Sequence, residues 1–147
     1  MPIKKISIMN YLIDTNCLIY YYNDKQQHFC DWLDKLNESQ IYISNLVVFE
    51  LLSGFYTVNS HKGALFVERL CEIYQLAENY SLAQATLSAM NQVELRKLGV
   101  QINSLDLHIA SQAIDRNLTL VTFNQKDFEP LKQFGLKLKC FEFEAET

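Results

Sequence analysis

Residues 118–122 read LTLVT and carry the clearest strand signal in the chain. The segment is apolar on both faces and lies between stretches of helical character, a pattern typical of a central strand in a parallel sheet. Further strands are predicted outward from it at 11–14 (YLID), 41–44 (IYIS), 72–76 (EIYQL) and 136–143 (LKLKCFEF). The last of these alternates between apolar and polar residues, which predicts a strand at the sheet edge.

Helices are predicted between these strands. Apolar residues recur at helical spacing in several of the intervening segments, and Asn103 with Ser104 marks one helix start. The predicted helices begin near Asn16 and cover 29–36, 45–56, 64–70, the stretch from Ser81 to near Gly99, 105–116 and 127–134. This alternation of strands and helices predicts a three-layer α/β/α fold around a central, mainly parallel sheet.

The composition predicts one soluble domain covering residues 1–147. Of the 147 residues, 49% are hydrophobic and 20% are charged, so the chain is long enough to bury about two-thirds of its extended surface. Lys4 and Lys5 are not followed by an apolar segment of signal-peptide length, and no apolar run of transmembrane length occurs. The four cysteines are widely spaced, which favours reduced thiols. We therefore expect a cytoplasmic protein without membrane association.

The charge of the chain argues against a protein that binds nucleic acid without catalysis. The formal net charge is −4, so the composition provides no general basic surface for the phosphate backbone. A metal-dependent nuclease is less affected by this argument, because its bound cations contact the phosphates themselves.

Acidic and amide side chains follow several of the predicted strands. Asp14 ends the first strand, and Glu50 lies in the helix that follows the second. Asp106 lies in the first turn of the helix before LTLVT, and Asn124 follows that strand. Ligands of parallel sheets gather beyond the carboxyl ends of the strands, so we expect these groups to converge. Such oxygen ligands suit Mg²⁺ or Mn²⁺, which would activate water and neutralise charge on a phosphoryl group.

Each of these residues also has a structural interpretation. Asp14 suits an Asx turn between strand and helix, and Asp106 suits the first turn of a capped helix. Asn124 and Asp127 repeat this pattern of a cap followed by an acid. Glu50 is different, because the run LVVFELL surrounds it with residues expected in the core, where an unpaired carboxylate is costly. A metal site or a polar cleft explains Glu50 better than a side chain that extends to the surface.

Four motifs together resemble the PIN domain, particularly the VapC-type toxins of bacterial toxin–antitoxin pairs. They are DTN after the first strand, E-L-L-x-G in an apolar helix, D-x-x-I-A-x-x-A from Asp106, and L-V-T-x-N-x-x-D-F from Leu120. They occur in this order across about residues 11–143. The resemblance implies an Mg²⁺- or Mn²⁺-dependent endoribonuclease, a cognate antitoxin and a homodimer.

The resemblance also assigns roles to individual residues. It implies that Asp14, Glu50 and Asp106 are the catalytic acids and the core metal ligands. The fourth acidic position of the family is Asn124 in this chain, which weakens a second metal site. Asn124 and Asp127 are therefore secondary candidates for metal binding. Amide variants are familiar in the family, so activity is still expected.

Other polar residues near the expected cleft receive weaker assignments. Thr15, Asn16 and Ser44 are candidates for orienting a metal-bound water or binding a substrate phosphate, with turn and cap roles as the alternative. His108 lies two residues beyond Asp106 on the same helix. Its side chain should therefore point away from that carboxylate, and we do not expect it to be a ligand.

Two other functions fit parts of the sequence. A haloacid-dehalogenase-like phosphatase also has an Asp after its first strand, but it needs a second Asp two residues later, where this chain has Asn16. A catalytically inactive PIN-fold module that binds RNA or a protein partner is the stronger alternative. The tyrosines at 20–22 suit base stacking, although aromatic packing explains them better. Retention of Asp14, Glu50 and Asp106 favours the nuclease.

Overall fold

The structure, a computed structural model, describes residues 8–144 and contains a five-stranded parallel sheet. The strands are β1 (Tyr11–Ile13), β2 (Ile41–Ser44), β3 (Gln75–Ala77), β4 (Thr119–Thr122) and β5 (Lys137–Cys140). Their spatial order is β3-β2-β1-β4-β5, and every neighbouring pair is parallel. The last strand lies at the sheet edge, as predicted, but is shorter than 136–143. Lys4 and Lys5, used in the prediction about the N-terminus, lie outside the described residues.

Seven α-helices within residues 8–144 complete the three-layer α/β/α fold that the sequence predicts. They are α1 (Thr15–Tyr22), α2 (Gln27–Lys35), α3 (Asn45–Thr57), α4 (His61–Ile73), α5 (Leu82–Lys97), α6 (Ser104–Asp115) and α7 (Gln125–Phe128). Short 3-10 helices occur at Glu38–Gln40 and Glu129–Phe134. In the part of the chain that is described, no helix is both long and apolar enough to cross a membrane.

Local sequence sets the start of several helices. The Ser44 hydroxyl caps α3 by accepting a hydrogen bond from the Leu46 N–H at 3.0 Å. Ser60 caps α4 in a similar way, and Ser81 forms a reciprocal capping box with Gln84 at the start of α5. These contacts satisfy N–H groups that have no partner in the first helical turn, and each typically stabilises the helix by about 1 kcal/mol.

Strands β1 and β4 form the centre of the sheet. Leu12, Ile13, Leu120 and Val121 are completely buried, and the register pairs Leu12 with Leu120 and Ile13 with Val121. The prediction of a central strand at LTLVT is therefore confirmed. The carboxyl ends of β1 and β4 lie side by side above this packed layer, which gives side chains at these ends a rigid base.

One predicted strand is displaced along the chain. The sequence predicts a strand at 72–76, but helix α4 occupies its first two positions and β3 begins only at Gln75. The backbone N–H of Tyr74, just after the helix, still donates to the Leu70 carbonyl at 2.9 Å. Only from Gln75 onward does the chain lie opposite β2, where it pairs with Tyr42. The prediction of a third strand is therefore confirmed, but its start is wrong because the helical hydrogen bonds of α4 continue to Tyr74.

Candidate metal and catalytic site

Asp14 lies at the carboxyl end of β1 and caps α1. Its backbone N–H donates to the Val121 carbonyl at 3.0 Å, which continues the contact between β1 and β4. Its carboxylate accepts hydrogen bonds from the Thr15 N–H at 2.8 Å and from the Thr122 hydroxyl at 2.8 Å. The residue is only 5% exposed. Each carboxylate oxygen therefore has a fixed protein donor, and the turn role predicted for Asp14 coexists with any role in chemistry.

Glu50 reaches the same place from α3. The Thr15 hydroxyl donates to Glu50 Oε1 at 2.7 Å, so Thr15 contacts Asp14 through its backbone and Glu50 through its side chain. Glu50 is half-buried. The sequence neighbours of Glu50 are apolar, so its polar partner, Thr15, comes from another part of the fold. This agrees with the prediction that Glu50 faces a polar cleft.

Asp106 lies in the first turn of α6, with its side chain half-buried. Asn103 caps this helix, because its Oδ1 accepts hydrogen bonds from the N–H groups of Leu105 at 2.9 Å and Asp106 at 3.4 Å. The Asp106 carboxylate itself experiences a different environment. Burial raises the pKa of this carboxyl to about 6, and repulsion from Asp14 and then from Glu50 adds to the rise.

Asp14 and Asp106 both lie within range of repulsion from Glu50 and Asp127. Burial also raises the pKa of Asp14, its two hydrogen bonds oppose that rise, and repulsion from Glu50 and Asp127 reinforces it. Asp127 raises the pKa of Asp106 as well. Negative charges that are brought together and partly desolvated are unfavourable in the folded chain, and a bound cation reverses this local potential.

The metal-free protein should become less stable as the pH rises from 3.8, the ordinary pKa of an Asp carboxyl, to about 6, the raised pKa of Asp106 in the folded chain. Between these values the folded chain holds a proton that the unfolded chain has released, so the free energy of unfolding falls as pH rises. The side chain is half-exposed, and solvent screening limits the effect to about 1 kcal/mol. Thermal melts of the parent and Asp106→Asn in chelator across this range measure it. Equal pH slopes in the two proteins would contradict the expectation.

The donor chemistry of this cluster fits a hard divalent cation. Within residues 8–144, no three Asp, Glu, His or Cys side chains lie close enough together to enclose an ion by themselves. Asp14 and Asp106 are nevertheless within range of repulsion from Glu50 and Asp127. Mg²⁺ usually takes one or two protein carboxylates and fills its remaining positions with water and phosphate oxygens. An open group of carboxylates therefore suits an ion that is shared with a substrate.

Three other residues predicted for the site are exposed. Asn16 lies on α1 beside Thr15, and Asp127 lies on α7. Asn124 lies between β4 and α7, and its backbone N–H donates to the Thr122 hydroxyl at 2.9 Å. The Asn124 side chain makes no capping hydrogen bond to α7. Asn124 thus occupies the N-cap position of α7, as the structural interpretation expects, but its side-chain amide is not used as a cap and remains accessible.

Ser44 differs from these residues because it has no exposed surface. Its hydroxyl caps α3 and donates to the side-chain carbonyl of Gln112. The sequence made Ser44 a candidate for contact with a water or a phosphate, but the structure offers no accessible hydroxyl for such contact. The partner of the hydroxyl, Gln112, lies on α6 and is 68 residues away in the chain, so the sequence of β2 does not indicate this contact.

Thr122 is the residue of the cluster that the sequence analysis did not single out. Its hydroxyl donates to Asp14 Oδ2 and accepts from the Asn124 N–H. It is fully buried at the end of β4. Its position in the sequence could have indicated this role, because Thr122 ends β4 and Asp14 follows the neighbouring strand β1.

His108 and the three consecutive tyrosines pack elsewhere. The His108 Nδ1 atom is hydrogen-bonded to the Tyr80 hydroxyl, in agreement with its exclusion as a ligand. Tyr20 packs edge-on against Phe123, with ring centroids 5.0 Å apart. Tyr22 lies 4.9 Å from the ring of Phe55. These contacts agree with aromatic packing as the better interpretation of residues 20–22.

The sequence of this chain is similar to those of known PIN-domain and VapC proteins. A family model described as the PIN domain matches residues 11–132. Ribonuclease VapC1 of Methanocaldococcus jannaschii is 32% identical over 127 residues, which cover 86% of this chain and 85% of that protein. Ribonuclease VapC2 of Rickettsia felis is 34% identical over 135 residues, covering 88% and 97% of the two chains.

A solved structure shares the same architecture. The crystal structure of VapBC2 from Rickettsia felis, bound to a DNA fragment from their promoter, contains a chain that superimposes with a TM-score of 0.80. The two chains are 28% identical, and the match covers 91% of this chain and 100% of the other. The family model spans most of the sequence, and this fold agrees with it. The chain therefore belongs to the PIN-domain family.

Proposed function

We propose that this protein is a divalent-metal-dependent endoribonuclease that hydrolyses phosphodiester bonds in RNA, and that it is the toxin of a toxin–antitoxin pair. The observation that carries the proposal is the convergence of carboxylates from distant parts of the chain. Thr15 donates hydrogen bonds to both Asp14 and Glu50. The charges of these two residues and of Asp127 contribute to the raised pKa of Asp106. Its relatives from Methanocaldococcus jannaschii and Rickettsia felis are named ribonucleases, which supports RNA as the substrate.

Asp14, Glu50 and Asp106 would hold Mg²⁺ or Mn²⁺ in this proposal. When bound, the ion would lower the pKa of a coordinated water and offset charge on the phosphoryl oxygens. Thr122 and the Thr15 N–H orient the Asp14 carboxylate, and their hydrogen bonds oppose the rise in its pKa that burial causes.

The exposed polar residues at the edge of the cluster have secondary roles. Asp127 is close enough to add negative charge to the site, and we assign it a role in attracting the cation. Asn124 contributes an amide where the family has an acid, which supports one strongly held ion instead of two. Asn16 is exposed beside Thr15 and is the better candidate for contact with the substrate phosphate, since the Thr15 hydroxyl is already bonded to Glu50.

We further propose a cognate antitoxin, a homodimer, one domain over residues 1–147 and a cytoplasmic location. The Rickettsia felis neighbour was crystallised as the VapBC2 complex, which supports a protein partner for this chain. Large apolar side chains on the surface also support protein contacts. Phe49, Leu65 and Leu82 are exposed on α3, α4 and α5, respectively.

The purified protein should cleave single-stranded RNA when Mg²⁺ or Mn²⁺ is present and should stop doing so in excess chelator. Electrophoresis of a labelled RNA under both conditions measures the effect, and re-addition of the metal is the control for protein damage. Full cleavage in chelator would exclude the metal mechanism. Binding of RNA without cleavage in any metal would favour the alternative of a catalytically inactive PIN-fold module.

A further inference from the structure

Gln112 forms a buried polar clamp between several elements. It lies on α6 and has no exposed surface. Its Oε1 atom accepts a hydrogen bond from the Ser44 hydroxyl at the end of β2. Its Nε2 atom donates to Asn45 Oδ1 at 3.3 Å and to the Asn79 carbonyl at 3.4 Å. Both ends of one amide are therefore used to join α6 to the start of α3 and to the loop before α5.

Two of these partners make further contacts that extend the clamp. The Asn45 side chain donates to the Glu78 carbonyl at 2.8 Å, and Ser44 also caps α3. Every polar side-chain atom of Ser44, Asn45 and Gln112 has a hydrogen-bond partner, and a fully satisfied network of this kind is rigid. The relative position of α3 and α6 is fixed at this point.

The clamp lies within two helical turns of two acidic residues. Gln112 follows Asp106 by six residues on α6, which is about 9 Å along the helix axis. Asn45 precedes Glu50 by five residues on α3, which is about 7.5 Å along that axis. A shift of one helix against the other at the clamp would therefore change the separation of the Asp106 and Glu50 carboxylates.

The three central acids differ in how they are held. Asp14 accepts hydrogen bonds from Thr15 and Thr122, and Glu50 accepts one from Thr15. The place of Asp106 is set by the position of α6 and by its Asn103 cap. Asp106 is therefore the acid whose location depends most on how α6 is anchored.

We propose that Gln112 is a positioning residue, which anchors α6 against α3 so that Asp106 and Glu50 hold their carboxylates at the spacing a divalent cation requires. This inference rests on the proposed function, because it concerns the same carboxylates. Displacing a group by about 1 Å at a reacting centre can cost about 100-fold in rate. Gln112 acts through the two helices and does not touch the substrate.

Gln84 provides a matched control. It is also a buried glutamine, and it lies on the neighbouring helix α5. Its Nε2 atom donates to Asp115 Oδ2 at 3.0 Å, and its Oε1 atom accepts from the Ser81 N–H at 3.2 Å. Asp115 is the last residue of α6, so this amide also holds α6, but against α5. Removing it disrupts two hydrogen bonds of a buried glutamine and leaves the contacts between α6 and α3 intact, which tests whether the α3 contact in particular matters.

The experiment replaces each glutamine by Met, which has similar length and cannot make these hydrogen bonds. Free Mn²⁺ is measured by electron paramagnetic resonance in a titration of each protein, together with thermal melts and RNA cleavage. We expect Gln112→Met to weaken Mn²⁺ binding by about tenfold and to lower kcat by about 100-fold with an unchanged KM for RNA. Gln84→Met should keep the Mn²⁺ affinity and kcat of the parent even if its melting temperature falls equally.

Ser44 supplies a second pair of variants if Gln112→Met does not fold. Ser44→Ala removes the hydroxyl that donates to Gln112 and should weaken Mn²⁺ binding, whereas Ser44→Thr retains a hydroxyl and should restore it. Parental Mn²⁺ affinity and kcat in folded Gln112→Met, or in Ser44→Ala, would overturn the positioning role. A parent protein that neither binds Mn²⁺ nor cuts RNA would instead overturn the proposed function, and this inference with it.

Discussion

Replacing Asp106 by Asn or Glu50 by Gln should lower the rate of RNA cleavage by at least about 100-fold while the fold persists. Each change removes one negative charge from the cluster that would hold the cation and keeps the size of the side chain. A bound metal ion supplies several kcal/mol of stabilisation to a charged transition state, and each 1.36 kcal/mol corresponds to about tenfold in rate. Single-turnover cleavage of one RNA at saturating Mg²⁺ measures the loss.

Two exposed positions outside the cluster provide matched controls for these variants. Asp31→Asn on α2 and Glu94→Gln on α5 remove the same kind of charge from exposed side chains. Both should cut RNA at the rate of the parent. Circular dichroism and thermal melts in chelator show whether each variant is folded. If folded Asp106→Asn and Glu50→Gln both cleave at the parental rate, the assignment of the catalytic acids is wrong.

Mg²⁺ should stabilise the parent by about 2.7 kcal/mol at a hundredfold excess over its dissociation constant, because it binds the folded chain and not the unfolded one. Asp14→Asn should lose most of this gain. In chelator the same variant should be at least as stable as the parent, since repulsion from Glu50 and Asp127 is removed with the charge. Thermal melts of both proteins, first in chelator and then across a series of Mg²⁺ concentrations without chelator, measure these differences.

Asp14→Ala separates the metal role of this residue from its structural role. The Asp14 carboxylate also accepts from the Thr15 N–H and from Thr122. Ala loses both contacts, and loss of such a cap typically costs about 1 kcal/mol. Asn keeps an acceptor for the Thr15 N–H and should avoid most of that cost. The metal role would be contradicted if Mg²⁺ did not change the melting temperature of the parent and if Asp14→Ala lost the same stability in chelator and in Mg²⁺. Asp14 would then have a structural role only.

Much of the fold follows from local patterns in the sequence. LTLVT predicts a strand buried on both faces, and Leu120 and Val121 are indeed fully buried in the central strand β4. The side chains of such a strand repeat every two residues, so their apolar character is visible without knowledge of the partners. The segment EIYQL shows the limit of this signal. The whole segment was predicted as a strand, but its first two residues belong to helix α4.

The sequence also predicts where acidic groups gather, but not how they are held. Asp14 and Glu50 could be selected because one ends a strand and the other interrupts an apolar run. The Thr15 N–H donates to Asp14, and the Thr15 hydroxyl donates to Glu50, which lies 35 residues further along the chain. The partner of Asp14 on the other side, Thr122, is 108 residues away in the chain. No local periodicity encodes such pairs, because a hydrogen-bond partner depends on which strands become neighbours.

The sequence by itself determined the parallel α/β architecture, the order of most elements and the candidate acids, because burial patterns and strand ends are local properties of the chain. Tertiary structure alone decided that Ser44 is fully buried and that the Asn124 side chain makes no capping hydrogen bond to α7. It also decided that Gln112 joins α6 to the end of β2. These outcomes depend on long-range packing and on the competition of each polar group for a partner, and neither is visible in neighbouring residues.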